Sequence, residues 1–310
     1  MSQLKYCLLG DPHLGRSTRA GTPLHRLGDR EKMVWEDFET SFRGDFDVHV
    51  CMGDLFDRPN MPLKLILDVY KVYVEADPSK KLILLAGNHD LTKSSDGVSA
   101  FDILEEMLSK ERGVIVVKGA PDIYDNRLFV PYHPTKTAQE LVAPFADQRF
   151  TAVYGHWDLD WVGPNQIPIE QLKGMTNTVY TGHIHKPETR TYGNLTVNVV
   201  GSMQPYAFGE SSEQEEVRRP RYVTCYLAEL DKLHRDTVVR LVLDEGESAP
   251  DELDFLQITT RRLQDLDEEI VEVKFDDFDL DALFRQALLE AGVSQKTMRE
   301  LNELRQDAME

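Results

Sequence analysis

Five apolar stretches of this chain each run into a glycine that is followed at once by Asp, Asn or His. They are Leu8-Leu9-Gly10-Asp11-Pro12-His13, Met52-Gly53-Asp54, Leu85-Ala86-Gly87-Asn88-His89-Asp90, Val153-Tyr154-Gly155-His156 and Tyr180-Thr181-Gly182-His183-Ile184-His185. Carboxylate oxygen, amide oxygen and neutral imidazole in one set suit borderline divalent ions such as manganese, iron or zinc, whereas magnesium favours oxygen alone. Asp11, His13, Asp54, Asn88, His156, His183 and His185 supply that mixture. Such a ligand set is too large for one ion and suits two if one carboxylate bridges them, and Asp54 is the natural bridge. Two ions roughly 3.5–4 Å apart can grip phosphate oxygens and neutralise charge that develops in an in-line displacement. His89, next to a ligand and not needed as one, is then free to act as a general acid.

A lone buried histidine after a strand is more often a hydrogen-bonded core residue than a ligand. Here five of the nine histidines fall in Gly-Asn-His-Asp, Gly-His and Gly-His-x-His contexts or beside a Gly-Asp, and their joint occurrence in this order argues against chance. His25, His49, His133 and His234 lack such contexts and read as surface or core residues.

The elements that must position these groups alternate. Leu4 to Leu9, Val48 to Met52 and Leu82 to Ala86 read as strands, and helices are predicted from about Asp29 to Phe42, Leu63 to Ala76 and Ser99 to Lys110. Further strands are predicted at Val114–Val117, Arg127–Pro131, before His156 and His183, and over Thr196–Val200, Tyr222–Leu230 and Val238–Leu243. This is the pattern of a parallel α/β sheet, whose chemistry sits at the carboxyl ends of its strands. The stretch from Gly209 to Arg219 reads as a solvated loop.

At 310 residues with 41% hydrophobic content, the chain has material for one large domain and a smaller appendage. No apolar run approaches the ~20 residues of a membrane span and Met1 to Gly15 shows no leader pattern, so a cytoplasmic location without membrane attachment is expected. Cys7, Cys51 and Cys225 have no metal-type spacing and read as buried reduced thiols. The net charge of −19 is uneven: Asp244 to Glu310 holds 20 acidic against 7 basic residues, and the rest holds 34 against 28. From Arg16 to Lys32 the balance reverses, and Arg16, Arg19 and Arg26 mark a place where a phosphate-bearing substrate can approach.

Beyond about Asp244 the character changes. Leu280, Leu283, Phe284, Ala287 and Leu288 form an apolar helical stripe, and a second helix through Met298, Leu301 and Leu304 would complete a hairpin. The expected division is a domain carrying the five motifs over 1–245 and an acidic region over 246–310, a small cap and helical hairpin that either packs on the body or docks a partner.

The motifs together resemble the calcineurin-like metallophosphoesterases: Asp11-Pro12-His13, Gly53-Asp54-Leu55-Phe56-Asp57-Arg58, Gly87-Asn88-His89-Asp90, Gly155-His156 and Gly182-His183-Ile184-His185. Within that superfamily the chain is most similar to the DNA-repair branch, which comprises SbcD, the Mre-type (meiotic recombination eleven) nucleases and the phage recombination endonuclease subunit. The similarity rests on the Asp-Pro-His-Leu-Gly opening, on Pro59 and Pro62 after the Gly-Asp-Leu-Phe-Asp loop, on Gly155-His156-Trp157-Asp158-Leu159, and on Gly201-Ser202 with Phe208-Gly209-Glu210 beyond.

The resemblance implies an α/β fold of the four-layer αββα sandwich type with a small, mainly helical C-terminal appendage. It implies hydrolysis of DNA phosphodiesters by an exonuclease or endonuclease with two divalent ions, manganese foremost and Mg2+, Fe2+ or Zn2+ as alternatives. DNA is then the substrate, and the partner an SMC-like coiled-coil ATPase of the SbcC type docked through the C-terminal region; a homodimer is also open. Carried over by residue, Asp11, His13, Asp54 and His185 would hold one ion, and Asp54, Asn88, His156 and His183 the other. His89 would be catalytic, with Asp57 and Arg58 as further catalytic candidates. Archaeal and eukaryotic members often carry a second active-site histidine where this chain has Asp57, so the resemblance is to the bacterial and phage type. Two alternatives keep the same fold: a phosphatase or cyclic-nucleotide phosphodiesterase, and a scaffold without activity.

Overall fold

A computed structural model describes residues 4–92, 97–210, 220–250 and 253–263, and Met1–Arg261 forms one compact unit. Its first sheet is wholly parallel, in the order β1 (Tyr6–Leu9), β2 (Val48–Cys51), β3 (Lys81–Leu85) and β4 (Val114–Val117). The crossovers carry α1 (Asp29–Ser41), α2 (Leu63–Glu75) and α3 (Ala100–Leu108). The last starts on a capping box in which the Ser99 hydroxyl accepts from the Asp102 amide and Asp102 accepts from the Ser99 amide.

The second sheet holds β5 (Asp122–Tyr124), β6 (Arg127–Val130), β7 (Ala152–His156), β8 (Thr178–Gly182), β9 (Glu188–Tyr192) and β10 (Leu195–Val199) in the order 5-6-7-8-10-9. Its four central strands are parallel and its two edge strands antiparallel. Two short helices accompany it, α4 (Ala138–Val142) and α5 (Ile169–Met175).

Strand periodicity explains the layering, because successive side chains point to opposite faces. In β2 and β3, Cys51, Leu82 and Leu84 pack under α1, α2 and α3 against Phe38, Val69 and Phe101, whereas Val48, Val50, Ile83 and Leu85 turn to the other sheet. In β6, β7 and β8, Leu128, Val130, Val153 and Val179 face α4 and α5, and Phe129, Tyr154 and Tyr180 face the first sheet. The result is helix, sheet, sheet, helix, as the family resemblance implied. Between the sheets the rings are stacked, with centroids 4.7 Å apart for Phe129 and Tyr154 and 5.1 Å for Tyr154 and Tyr180.

A third sheet, β11 (Arg221–Tyr226), β12 (Thr237–Leu243) and β13 (Gln257–Arg262), has its own core around Leu241 and Phe255. β13 lies in the stretch expected to form the cap. The predicted strand to Leu230 ends at Tyr226, where a 3-10 turn over Leu227–Lys232 takes over and Glu229 accepts from the Tyr226 amide. The helical hairpin expected between Leu280 and Leu304 lies outside the described residues. No helix among the described residues is long and apolar enough to cross a membrane. All three cysteines are free, with Cys51 and Cys225 buried and Cys7 half-buried.

Candidate metal centre

The carboxyl ends of β1, β2, β3, β7 and β8 meet at one edge of the paired sheets, and each delivers its Gly-Asp, Gly-Asn or Gly-His motif there. The glycines are required by close approach: a Cβ on Gly87 would lie 2.2 Å from the Asp54 amide nitrogen, and one on Gly53 2.3 Å from His156 Nδ1. The residues after them bend sharply. Asp11, His13, Asp54 and His183 all have positive φ, between 29° and 74°, a conformation costly for side-chain-bearing residues and tolerated best by Asp, Asn and His. Strain of this kind persists where the surroundings over-determine it, and it clusters at functional sites.

The geometry brings all seven candidate ligands together. His13 Nε2 lies 3.0 Å from His185 Nε2, and His156 Nε2 lies 3.0 Å from Asn88 Oδ1. About 3 Å is the separation of two neighbouring donor atoms that each sit ~2.1 Å from one ion at a right angle. Asp54 stands between the pairs, with Oδ2 3.9 Å from His13 Nε2 and Oδ1 3.4 Å from His156 Nε2. Among the described residues, it belongs to both groups whose ligand atoms lie within 4.8 Å of one another, His13–Asp54–His89 and Asp54–His156–His183. The first group also brings His89 within ligand range.

Acceptors fix three imidazole tautomers. His156 Nδ1 donates to the Met52 carbonyl at 2.9 Å, which leaves the Nε2 lone pair toward Asn88 and Asp54. His183 Nε2 donates to Asp158 at 2.9 Å, leaving Nδ1, which is buried and has no protein partner. His185 Nδ1 donates to Glu210 at 3.1 Å, leaving Nε2 toward His13. Each arrangement turns one lone pair into the centre.

The electrostatics ask for a cation. Asp11 is fully buried and neither of its carboxylate oxygens has a well-formed hydrogen bond, its nearest cationic partner being His156 Nδ1 at 3.8 Å, a costly state for an ionised group. Burial pushes its carboxyl up to about 7, with the Asp54 charge adding to the rise and His156 opposing it. Burial would also raise Asp54, but His156, His13 and His89 outweigh it and hold that carboxyl below the usual range. Burial lowers His156 as well, and the Asp54 and Asp11 charges more than reverse this, to about 10, so in the metal-free chain a proton on Nε2 stands where a cation would and must leave for that nitrogen to ligate. Burial takes His13 down to about 3, which keeps it neutral and able to ligate. These donors fit divalent cations, which would partner the bare Asp11 oxygens directly.

Other residues named from sequence occupy distinct places. His89 Nδ1 donates to the Asp57 carbonyl at 2.6 Å, and its amide donates to Asp54 Oδ1 at 2.8 Å. Asp57 is half-buried and Arg58 exposed beside it. Arg16 lies over the Tyr206 ring at 4.9 Å, and Arg19 is exposed. Arg26 differs: Nε donates to Asp29 at 2.9 Å, Nη2 to Asp236 at 2.6 Å and Nη1 to the Arg235 carbonyl at 2.8 Å, so it ties α1 to the third sheet instead of standing free for phosphate.

Four supporting residues had no role that sequence alone assigned. Asp90 accepts from the amides of Gly87 at 2.8 Å and Phe56 at 2.9 Å, fastening the β2 loop to the β3 loop. Burial foremost, helped by Asp54, pushes its carboxyl up to about 8. Tyr206 donates to the Pro12 carbonyl and sets its ring edge against His13. Asp158 and Glu210 hold the two histidines just described. Both acids lie in stretches that carried the family resemblance, which was the only signal that could have flagged them.

The family described as Calcineurin-like phosphoesterase matches residues 4–187. Among curated proteins, the DNA double-strand break repair protein Mre11 of Methanococcus maripaludis is 25% identical over 134 residues, which is 41% of this chain and 34% of that protein. The chain thus aligns with about a third of the length of this relative. Among solved structures, a phosphopantetheinyl hydrolase from Mycobacterium tuberculosis has 15% identity and a TM-score of 0.41, over 65% of this chain and 93% of that one. GAP50, the anchor in the inner membrane complex of Plasmodium, has 13% identity and a TM-score of 0.37, over 64% and 72%.

Proposed function

The chain belongs to the calcineurin-like phosphoesterase family, and from that premise we propose that it is a dinuclear-metal nuclease that hydrolyses DNA phosphodiester bonds in recombination or repair. The observation that carries the reading is Asp54, whose two oxygens face two different donor pairs. On this reading Asp11, His13, Asp54 and His185 hold one ion and Asp54, Asn88, His156 and His183 the other. Bound divalent ions would supply charge neutralisation at the phosphoryl group and a lowered pKa for water, and manganese suits the mixed donor set.

The protein's own part is to orient and to move a proton. His89 is held by its Nδ1–H bond to the Asp57 carbonyl, so the proton it passes to the leaving oxygen is the second one, carried on Nε2 when the ring is imidazolium, and the ring returns to the neutral Nδ1–H form. The backbone of Asp57, more than its carboxylate, serves that purpose. Arg16 sits one turn of chain beyond His13, and Arg16 and Arg19 offer positive charge to the DNA backbone beside the site.

DNA is favoured over a small phosphoester by the similarity to an archaeal break-repair protein and by this basic loop. The scaffold alternative would call for missing ligands, and all seven are present. The region 246–310 is proposed to serve as cap and as docking segment for an SMC-like ATPase. Digestion of linear duplex and single-stranded DNA with Mn2+, beside para-nitrophenyl phosphate and a cyclic nucleotide, tests the reading. DNA should be cleaved and the cleavage abolished by chelation. Turnover of the small esters alone would replace the nuclease by a phosphatase or cyclic-nucleotide phosphodiesterase.

A further inference from the structure

We infer that Asp158 and Glu210 are positioning residues that govern the two ions separately: Glu210 sets the affinity of the ion held by His13 and His185, and Asp158 that of the ion held by Asn88, His156 and His183. The inference rests on the dinuclear reading and adds to it a division of labour.

The two carboxylates act alike and reach the site from different directions. Glu210 takes the Nδ1–H of His185 at 3.1 Å and the amides of Tyr206 and Ala207 at 2.7 and 3.1 Å. It is therefore a rigid acceptor fixed by its own backbone turn. That turn also places Tyr206, whose hydroxyl donates to the Pro12 carbonyl between Asp11 and His13. Asp158 lies just past β7, two residues after His156, and takes the Nε2–H of His183 at 2.9 Å. Its loop is closed by the amide of Ile167 donating to the Asp158 carbonyl at 2.9 Å.

The acceptors choose opposite ring nitrogens. Glu210 binds Nδ1 and frees Nε2 of His185, whereas Asp158 binds Nε2 and frees Nδ1 of His183. His183 and His185, separated by one residue just past the same strand, are thereby turned toward different ions. A carboxylate behind a ligating imidazole holds the tautomer and raises its basicity, and removing such a partner typically weakens metal binding 10–100-fold. Each weakening is expected at one ion only.

Manganese titration of the metal-free protein by calorimetry reads this directly, with electron paramagnetic resonance to report the coupled ion pair. Glu210→Ala and Asp158→Ala should each keep one site at its original affinity and weaken the other 10–100-fold, and at low manganese the coupled signal should give way to that of isolated ions. Glu210→Gln and Asp158→Asn keep a carbonyl acceptor and should recover much of the affinity. In a His185→Ala background, Glu210→Ala should weaken binding much less than it does in the wild type, since it acts mainly through that ring. Equal weakening of both sites, no weakening of either, or an undiminished further weakening in the His185→Ala background would overturn the inference. A wild-type protein that binds fewer than two ions would instead overturn the dinuclear reading on which it stands.

Discussion

His13 Nε2 and His185 Nε2 lie 3.0 Å apart although they follow strands of different sheets. Two imidazole nitrogens brought to this distance by rings set edge-on at 70°, beside the buried oxygens of Asp11, form a site whose most favourable occupant is a cation. Adding Mn2+ to chelator-treated protein should therefore stabilise it by ~2.7 kcal/mol per ion at free metal about a hundredfold above Kd. Thermal unfolding checks this, and an unmoved melting temperature would mean that the cluster holds no metal.

His89 and Asp54 should fail in different ways. His89→Ala is expected to retain both ions and to fall roughly 10²–10⁴-fold in rate, as removal of a general acid does. Because His89 lies within 4.8 Å of His13 and Asp54 donor atoms, metal analysis of this variant also decides between proton donor and ligand. Asp54→Ala removes the anion shared by two cations and should release metal outright. Full occupancy in Asp54→Ala would refute the bridge.

Salt dependence separates the arginines of the basic loop. Arg16→Ser with Arg19→Ser should weaken DNA binding and reduce the slope of log K against log salt by about 0.9 for each duplex phosphate no longer neutralised. Arg26→Ser should leave that slope alone and lower the melting temperature, since its guanidinium holds Asp29, Asp236 and the Arg235 carbonyl. A slope unchanged by the first pair would place the DNA path elsewhere.

His49 predicts a pH effect away from the metal centre. Its ring is buried, stacks on Phe42 at 4.3 Å and meets the Ser41 hydroxyl at 3.1 Å, and burial lowers it to about 3. The unfolded chain takes up a proton there near pH 6.5 while the folded one refuses it until about 3. Between those values the unfolded state binds more protons, so stability falls on acidification, by up to about 1.4 kcal/mol per pH unit from this residue. Denaturant unfolding at pH 7 and pH 5 should show a smaller difference for His49→Gln, which keeps a nitrogen toward Ser41 and does not titrate. An identical difference would remove His49 as the cause.

The candidate ligands were legible because each motif turns on a glycine that the fold cannot replace. Gly87 and Gly53 abut Asp54 and His156, so the pattern of small residue then donor is dictated by sterics and survives in one dimension. Long, periodic elements such as α1 and α2 were legible for a similar reason, since one face is buried along their whole length. Asp158, Glu210 and Asp90 were not, because an acid in a loop looks alike whether it faces water or a histidine 25 residues away. Nor were β5 and β9, edge strands with few buried side chains, whose existence depends on the neighbour that supplies their hydrogen bonds. Arg26 read as a phosphate contact because its partner Asp236 lies 210 residues away in sequence.

The stacked rings of Phe129, Tyr154 and Tyr180 acquire a meaning beyond packing once the origin of the donors is considered. Asp11, His13, Asp54 and Asn88 come from one leaf of the molecule, and His156, His183 and His185 from the other. The aromatic filling sits as a spacer in the gap, and ions held by these donors would act as a clasp across its rim. A clasp and its spacer are thermodynamically one device: anything that lets the leaves drift apart loosens the ions, and anything that seats the ions draws the leaves together. Damage deep in that filling, far from any donor atom, would thus surface first as a protein that cannot keep its metal.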